Sequence, residues 1–374
     1  MLLIVTSIAA CVWLFLLVLP WRPWSTAENE EALTNAEATD FTDVTALVPA
    51  RDEASSVTAC LTALVSQGHL AQIILIDDES SDGTGDIVRE LGIDDLTVLT
   101  GTTPPPGWSG KLWALEQGFE NVTTSHTLLL DADIQLQPGI LAALKERMTR
   151  DKLHLVSVMA SLRIETRWEK LLLPAFIYFF KLLYPFSLSN DPRSRVAAAA
   201  GGCVLIDTEI LRSMKGFISL RNAIIDDCTL ARLVKARGGR TWIGLSHDVR
   251  AIRPYQSLSN IWNMVARTAF TQLGYSTAML GLCSALLTLS FIVPTVGLLF
   301  GTGLVPFISF VALAAMGVSY FPTIHFYELC PAWVLTLPLA ACLFLSMTWT
   351  SAVRYWRGER SRWKDRSYGK AIDR

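Results

Sequence analysis

The sequence lacks the cysteine spacing of a metal knuckle or a disulfide-stapled module. Its seven cysteines (Cys11, Cys60, Cys203, Cys228, Cys283, Cys330 and Cys342) lie far apart, with no Cys-x-x-Cys pair, and four sit in apolar runs. That pattern argues against a zinc site or a disulfide framework and leaves buried, inert thiols as the default. A basic excess is missing too. Lys plus Arg number 32 against 34 Asp plus Glu, a net charge of −2, so a nucleic-acid partner is not expected. Charge of either sign is scarce, at 18% with 51% hydrophobic residues, where soluble domains carry about 25% charged residues. No internal repeat or low-complexity tract stands out. The chain is too apolar for disorder and too charged for an all-membrane bundle, so a soluble part joined to membrane segments is expected. Its 374 residues have room for both.

Charges are absent from two stretches. Met1 to Pro20 carries none and is about one bilayer long. It has no Lys or Arg n-region, and Ser25-Thr26-Ala27 is a poor cleavage site, so an uncleaved anchor over 1–24 is expected rather than a signal peptide. Trp21, Arg22 and Trp24 follow it, which fits a span running from outside to inside. Glu28 to Asp43 is acidic and reads as part of a solvated linker, 25–43. The second uncharged stretch runs from Thr268 to Tyr327, with Pro294, Gly301, Gly303 and Pro306 near its middle, and Ala332–Thr350 gives a further apolar run. A transmembrane region over 271–353 with two or three spans follows. The tail, 354–374, is basic through Arg354, Arg357, Arg360, Arg362, Lys364, Arg366, Lys370 and Arg374. The positive-inside rule puts it in the cytoplasm, whereas three spans after a cytoplasmic domain would put it outside. Two spans and a re-entrant stretch would satisfy both.

Between these regions, strands alternate with helices. Val44–Pro49, Gln72–Asp77, Leu96–Leu99 and Thr127–Asp131 read as strands. Ser55–Gln67, Thr84–Leu91 and Lys111–Phe119 read as helices. Nearly continuous apolar strands joined by helices imply an α/β fold with a mostly parallel sheet covered on both faces. Ligands bind such sheets at the carboxyl ends of the strands, where Asp77 and Asp131 are placed. Arg167–Ser187 is rich in aromatic and aliphatic residues but interrupted by Lys170 and Lys181. It suits a helix lying in the membrane interface with snorkelling lysines. An ordinary buried helix is the other reading.

Three acid clusters carry the chemistry. In Asp77-Asp78-Glu79-Ser80-Ser81-Asp82-Gly83-Thr84, helix capping accounts for Asp82 or Thr84 but not for two acids directly after a buried strand. Asp131-Ala132-Asp133 places two carboxylates two residues apart after a strand. Such a pair can share a ligand, one facing a ribose or sugar and the other a hard divalent cation. Asp226-Asp227 precedes a helix with Leu230, Leu233 and Val234 on one face, and complementarity to the helix dipole is the bland account. His247, Asp248, Arg250 and Arg253 form a polar patch with no assigned role, Arg250 and Arg253 fitting lipid headgroups.

Several of these motifs occur together and in order. They are Val48-Pro49-Ala50-Arg51-Asp52-Glu53, Ile76–Thr84, Gly110-Lys111, Asp131-Ala132-Asp133 and Asp226-Asp227-Cys228-Thr229-Leu230. The set resembles family 2 glycosyltransferases over about residues 44–270. With Trp108–Ala114 and Ala266–Leu273, it looks most like the hopene-associated glycosyltransferases of bacterial hopanoid clusters, and more distantly like ceramide glucosyltransferases. The resemblance implies a GT-A domain that binds a nucleotide sugar, a UDP-sugar, with Asp77 on the base beside Asp78, and Pro49 and Glu53 lining the nucleotide pocket. It also implies that Asp131 and Asp133 hold the ribose-diphosphate through Mn²⁺ or Mg²⁺, with Asp133 the better metal ligand. Asp227, paired with Asp226, becomes the general base of an inverting transfer.

Physical chemistry is consistent with those roles. Charge grows on the leaving diphosphate, and a cation with Lys111 and Arg267 can stabilise it. An attacking alcohol must lose a proton to a carboxylate. One departure is clear. Where many membrane members carry Gln-x-x-Arg-Trp, this chain reads Met264-Val265-Ala266-Arg267-Thr268, which keeps the Arg and argues against a processive polysaccharide synthase.

The expectation is therefore a multi-pass enzyme of a bacterial inner membrane with its catalytic domain facing the cytoplasm. It moves sugar to a membrane lipid, a hopanoid. Ceramide, diacylglycerol, a carotenoid or a polyprenyl phosphate are alternative acceptors, and a non-catalytic lipid- or nucleotide-binding scaffold is the alternative of another class.

Overall fold

The computed structural model describes residues 1–34, 39–363 and 366–369. It divides into two compact units. A sheet unit comprises Glu28–Arg163 and Leu188–Pro254, and a helical unit comprises Met1–Ala27, Ile164–Ser187 and Tyr255–Arg374.

The sheet unit has eight strands: β1 (Thr39–Ala50), β2 (Gly68–Asp77), β3 (Leu96–Thr100), β4 (His126–Leu130), β5 (Ile134–Leu136), β6 (Leu155–Leu162), β7 (Cys203–Asp207) and β8 (Thr241–Ala251). Their order is β3-β2-β1-β4-β7-β6-β8-β5. Four of the seven pairings are parallel and three antiparallel. The fold is α/β with a mixed, mostly parallel sheet. The antiparallel pairings all involve β5 or β7, short strands that the apolar pattern of the sequence did not single out.

Period-2 alternation explains why strands with continuous apolar runs form here. Ala46, Val48, Ile73 and Leu75 enter one core with Leu61 and Leu64 of the helix Val57–Val65. Leu47, Ile74 and Ile76 enter the opposite core with Leu112 and Leu115 of the helix Gly110–Phe119. Both faces are dry, so truncating a side chain such as Leu47 to Ala would cost about 2–5 kcal/mol. The strand ends then deliver their polar residues to one edge. β1 and β2 run in register from Val48↔Leu75 through Pro49↔Ile76 to Ala50↔Asp77, so Ala50 and Asp77 finish side by side, one residue after Pro49.

The expected solvated linker keeps exposed residues such as Asn29 and Leu33, but its first part is docked on the domain. Asn29 bridges to Leu245 of β8, Glu30 pairs with Arg147, and Glu31 meets His247 at 2.7 Å. The Ala32 N–H donates to Asp248 at 2.7 Å. The acids that suggested solvent find partners on the domain itself, and β1 begins at Thr39 rather than Val44. By their contacts, residues 164–187 and 255–270 group with the helical unit.

In the helical unit, Thr277–Phe300, Val305–Phe326 and Pro331–Trp356 are long and apolar enough to cross a membrane. The N-terminal helix Leu2–Val18 has 17 residues. That is about 26 Å at 1.5 Å per residue, the lower limit of a span. Trp13 donates its indole N–H to the Ser290 carbonyl at 2.8 Å and meets Phe291 edge-on at 5.1 Å. The helix Arg167–Leu183 opens with a Thr166/Glu169 capping box. Its lysines do not both snorkel, since Lys181 is 1% exposed. Tyr178 bonds Ser319 at 2.8 Å, and Phe179 packs on Phe291 and Phe344. The apolar stripe read as an interfacial face is thus covered by the chain's own helices, while Trp168 and Leu183 stay exposed. Of the basic tail, Lys364, Lys370 and Arg374 lie outside the described residues.

Candidate active site

The site begins where β4 ends. The Asp131 N–H donates to the Gly202 carbonyl at 3.0 Å, an extension of the β4–β7 ladder from Leu130↔Cys203. Asp131 therefore leaves the sheet beside the Gly201-Gly202 turn. Lys111, in the first turn of the helix Gly110–Phe119, reaches Asp131 at 2.6 Å and the Gly201 carbonyl at 3.3 Å. The Gly201 N–H in turn donates to Asp227 Oδ2 at 3.1 Å. The Cys228 N–H donates to Oδ1 of the same carboxylate at 2.7 Å. Asp227 belongs to the first turn of the helix Asp226–Ala236, where unsatisfied N–H groups and the dipole favour an acid.

Gly201 is thus the hinge between lysine and carboxylate. A Cβ there would sit 3.3 Å from Lys111 Nζ and 3.5 Å from Asp227, so absence of a side chain permits the close approach. Pro49, Lys111, Asp131, Gly201, Asp226 and Asp227 line one pocket over an apolar floor that includes Leu112, Leu129 and Phe217.

Electrostatics differentiate these groups. Burial pushes Asp227 up, Asp226 pushes it further, and the Cys228 and Gly201 amides and the Lys111 charge pull it back. The outcome is a carboxyl raised to about 6. Burial also raises Asp131, against the opposing charge of Lys111. For Lys111 burial acts downward, but Asp131, Asp226 and Asp227 outweigh it and raise the ammonium's pKa. Cys60 lies behind Asp131, its Sγ 3.6 Å from the carbonyl. Burial raises its thiol strongly, consistent with an inert cysteine.

The second carboxylate of the pair faces a different partner. Register Ile134↔Ala251 between β5 and β8 brings Asp133 beside the end of β8, where the Ile252 N–H donates to the Asp133 carbonyl at 2.9 Å. Arg253 then donates Nε–H to Asp133 Oδ2 at 2.7 Å and reaches Glu53 through its Nη2. Ser56 adds a 2.7 Å bond to Glu53. Sequence reasoning left Arg253 for lipid headgroups. The structure instead ties it to two predicted site acids, a link made by sheet register with no local signal.

Asp77 and Asp78 belong to a third network. Asp77 accepts from the Ser80 N–H at 3.0 Å, which closes the turn before the helix Thr84–Glu90. Asp78 is buried, with its N–H on the Ala50 carbonyl at 2.8 Å and its carboxylate 3.8 Å from Arg51. Gly83 follows at φ +85°, where glycine is favoured. Arg267 lies on the helix Leu258–Gln272 of the helical unit.

Among the described residues, no three His, Cys, Asp or Glu side chains form a complete metal cage. By their chemistry, Asp131 and Asp133 offer two of the carboxylates that a hard cation of the Mg²⁺ or Mn²⁺ type commonly takes, the rest of its shell coming from phosphate and water oxygens; in the protein alone they pair with Lys111 and Arg253.

A mostly parallel sheet with two carboxylates at the end of β4 and a further carboxylate across the same pocket defines a GT-A-like α/β fold. Residues 42–271, more than half of the chain, match the model of "Glycosyltransferase like family 2". The chain belongs to that family.

Two curated relatives align over shorter stretches. A 4,4'-diaponeurosporenoate glycosyltransferase of Staphylococcus haemolyticus is 30% identical over 96 residues, covering 25% of this chain and 24% of the relative. A probable glycosyltransferase, YdaM, of Bacillus subtilis is 31% identical over 124 residues, covering 32% of this chain and 30% of the relative. The matches therefore span under a third of either relative's length. Among solved structures, a mannosyltransferase of Pyrobaculum calidifontis in complex with GDP-Man and Mn²⁺ is similar in fold, with a TM-score of 0.54, 17% identity and 96% of each chain covered.

Proposed function

We propose that the protein transfers a sugar from a nucleotide sugar to a membrane lipid, with inversion at the anomeric carbon. The observation that carries this reading is the Lys111–Gly201–Asp227 bridge, which holds a raised carboxylate beside a lysine-paired aspartate in one pocket. Asp227 is the base. Each of its oxygens accepts one backbone N–H and keeps acceptor capacity for an incoming hydroxyl. The acceptor oxygen bonds to the anomeric carbon as the bond to the diphosphate oxygen breaks. The hydroxyl proton passes to Asp227. With a single displacement and no enzyme nucleophile, the configuration inverts.

Lys111 faces the leaving diphosphate, and its fixed charge stabilises negative charge where it grows. Arg267 is assigned to the same diphosphate on the resemblance alone. Asp133, with Asp131, would hold the divalent cation, which would supply Lewis-acid stabilisation of the leaving group. Asp226 sets the field on Asp227. Pro49 lines the pocket, with Glu53, Asp77 and Asp78 on the nucleotide side.

A lipid acceptor is supported by the three span-length apolar helices and by the name of the diaponeurosporenoate relatives. The motif resemblance favours a hopanoid alcohol, and that name favours a carotenoid acid. Nucleotide sugars and the Trp21-Arg22-Trp24 belt after the first helix support a cytoplasmic face on a bacterial inner membrane.

The test is lipid mass spectrometry of the producing bacterium with and without the gene. Loss of a glycosylated hopanoid with build-up of its aglycone supports the hopanoid assignment. Loss of a glycosylated carotenoid instead replaces it, and no change in any glycolipid sinks the lipid reading.

A further inference from the structure

The two carboxylates after β4 are both neutralised before any ligand arrives, but in different ways. Lys111 meets Asp131 within the pocket. Arg253 uses separate nitrogens on Asp133 and on Glu53. Those acids come from sequence positions 120 and 200 residues away from it. The guanidinium is a rigid fork, and it binds two anions at once where an ammonium would act as a point charge. It is also 37% exposed on its side chain, whereas Asp133 and Glu53 are 20% and 11% exposed. The cation is therefore the most exposed member of the cluster, and the acids it holds lie deeper. Removing Arg253 would take from Asp133 and Glu53 a cation that holds both, and loss of a partner is costly for a partly buried carboxylate.

We propose that Arg253 is a placeholder cation. It holds Asp133 and Glu53 in the donor-free protein, gives up Asp133 when a divalent cation takes that carboxylate, and then turns its freed N–H groups to the donor's diphosphate. Arg–phosphate pairing is among the strongest charge-assisted contacts. The exchange makes metal and nucleotide binding cooperative, because metal alone must displace the guanidinium without giving it a new anion. The idea rests on the assignment of Asp133 to the metal site.

The experiment is Mn²⁺ binding to the purified full-length protein in detergent, followed by electron paramagnetic resonance, without nucleotide and then with UDP. Arg253→Gln is expected to bind Mn²⁺ alone about tenfold more tightly than the native protein, the size of one charge-assisted hydrogen bond. It should bind UDP in the presence of Mn²⁺ about tenfold more weakly. Arg253→Lys keeps the charge and covers the case in which the Gln variant does not fold. Its bare Mn²⁺ affinity should also rise, by less. Unchanged or weaker Mn²⁺ binding in the folded variants overturns the placeholder. Asp133→Ala separates that failure from failure of the metal assignment. If Asp133→Ala binds Mn²⁺ as the native protein does, the metal site itself is elsewhere.

Discussion

The two ends of the Asp131-Ala132-Asp133 motif teach different lessons. At one end, Asp131, Lys111, Gly201 and Asp227 form a short chain of contacts over an apolar floor. The groups are close enough to shift one another's protonation. At the other end, Asp133, Arg253 and Glu53 form an ion cluster at the end of β8. On the proposed function, the first end serves proton and leaving-group chemistry, where burial makes each charge count more. On the proposal for Arg253, the second exchanges one cation for another. Two residues of separation, and the turn between β4 and β5, are enough to divide the labour.

The sharpest way to break this division is Asp227→Asn. It should lower transfer by at least about 10³-fold, within the range of a general base, while UDP binding measured by calorimetry stays near native. Equal loss of both would remove Asp227 from the base role. The same variant has a stability signature. Because the folded-state pKa of Asp227 is raised, the native fold favours its neutral form. Its stability contribution falls as pH rises from about 4 to about 6. The melting temperature of the native protein should therefore fall relative to that of the Asn variant as pH rises from about 4 to about 8.

Lys111→Met comes next. A fixed cation beside developing charge contributes about 10²–10³-fold in rate, so transfer should fall by that order. Nucleotide affinity should fall less, because the effect is concentrated on the transition state. A pure loss of affinity at unchanged kcat would move Lys111 to ground-state binding.

Much of this was legible in the sequence, and for an identifiable reason. Asp77, Asp131 and the pair Asp226-Asp227 each stand next to a strand or helix whose apolar pattern is local, so their positions at element ends could be derived from neighbours. Lys111 came from the Gly110-Lys111 motif of the family resemblance and from the need for a cation at the leaving diphosphate. Arg253 and Gly201 could not be derived that way. Arg253 earns its partners from the β5–β8 register, and Gly201 from the antiparallel β4–β7 pairing, both set by contacts far along the chain. Glu28 to Leu33 was misread for the related reason that a run of acids looks solvated until Arg147 and His247 arrive from elsewhere. The helix Arg167–Leu183 has an amphipathic pattern that fits a lipid interface and a helical bundle equally. Only packing against Ser319, Phe291 and Phe344 separates the two.

The pH profile sharpens the comparison between the two ends. The base works ionised, so kcat/KM should fall about tenfold per unit below an acidic limb near pH 6, reporting the free enzyme. Lys111 pulls the Asp227 pKa down, so Lys111→Met should move the limb to higher pH. Arg253→Gln, acting at the other end, should leave the limb where it is. A limb that moves with Arg253 and not with Lys111 would merge the two ends into one electrostatic unit.

The smallest effect is expected at the hinge. Gly201→Ala adds a Cβ at 3.3 Å from Lys111 Nζ and at ordinary contact distance, 3.5 Å, from Asp227. Gly201 is not among the glycines with positive φ, so alanine brings no backbone strain, and both hydrogen bonds of the hinge use backbone atoms that alanine retains. The lysine tip must give by a few tenths of an ångström, yet it is held at 2.6 Å by Asp131. Misplacement of a catalytic group by a full ångström can cost about 10²-fold, so a shift of this size should cost about three- to tenfold in transfer. Melting temperature should hardly change, because alanine keeps the backbone hydrogen bonds and meets Asp227 at ordinary contact distance. If transfer falls as far as in Lys111→Met, the glycine sets the geometry of the whole site. If it does not fall at all, the lysine is free to relax and the hinge is only a spacer.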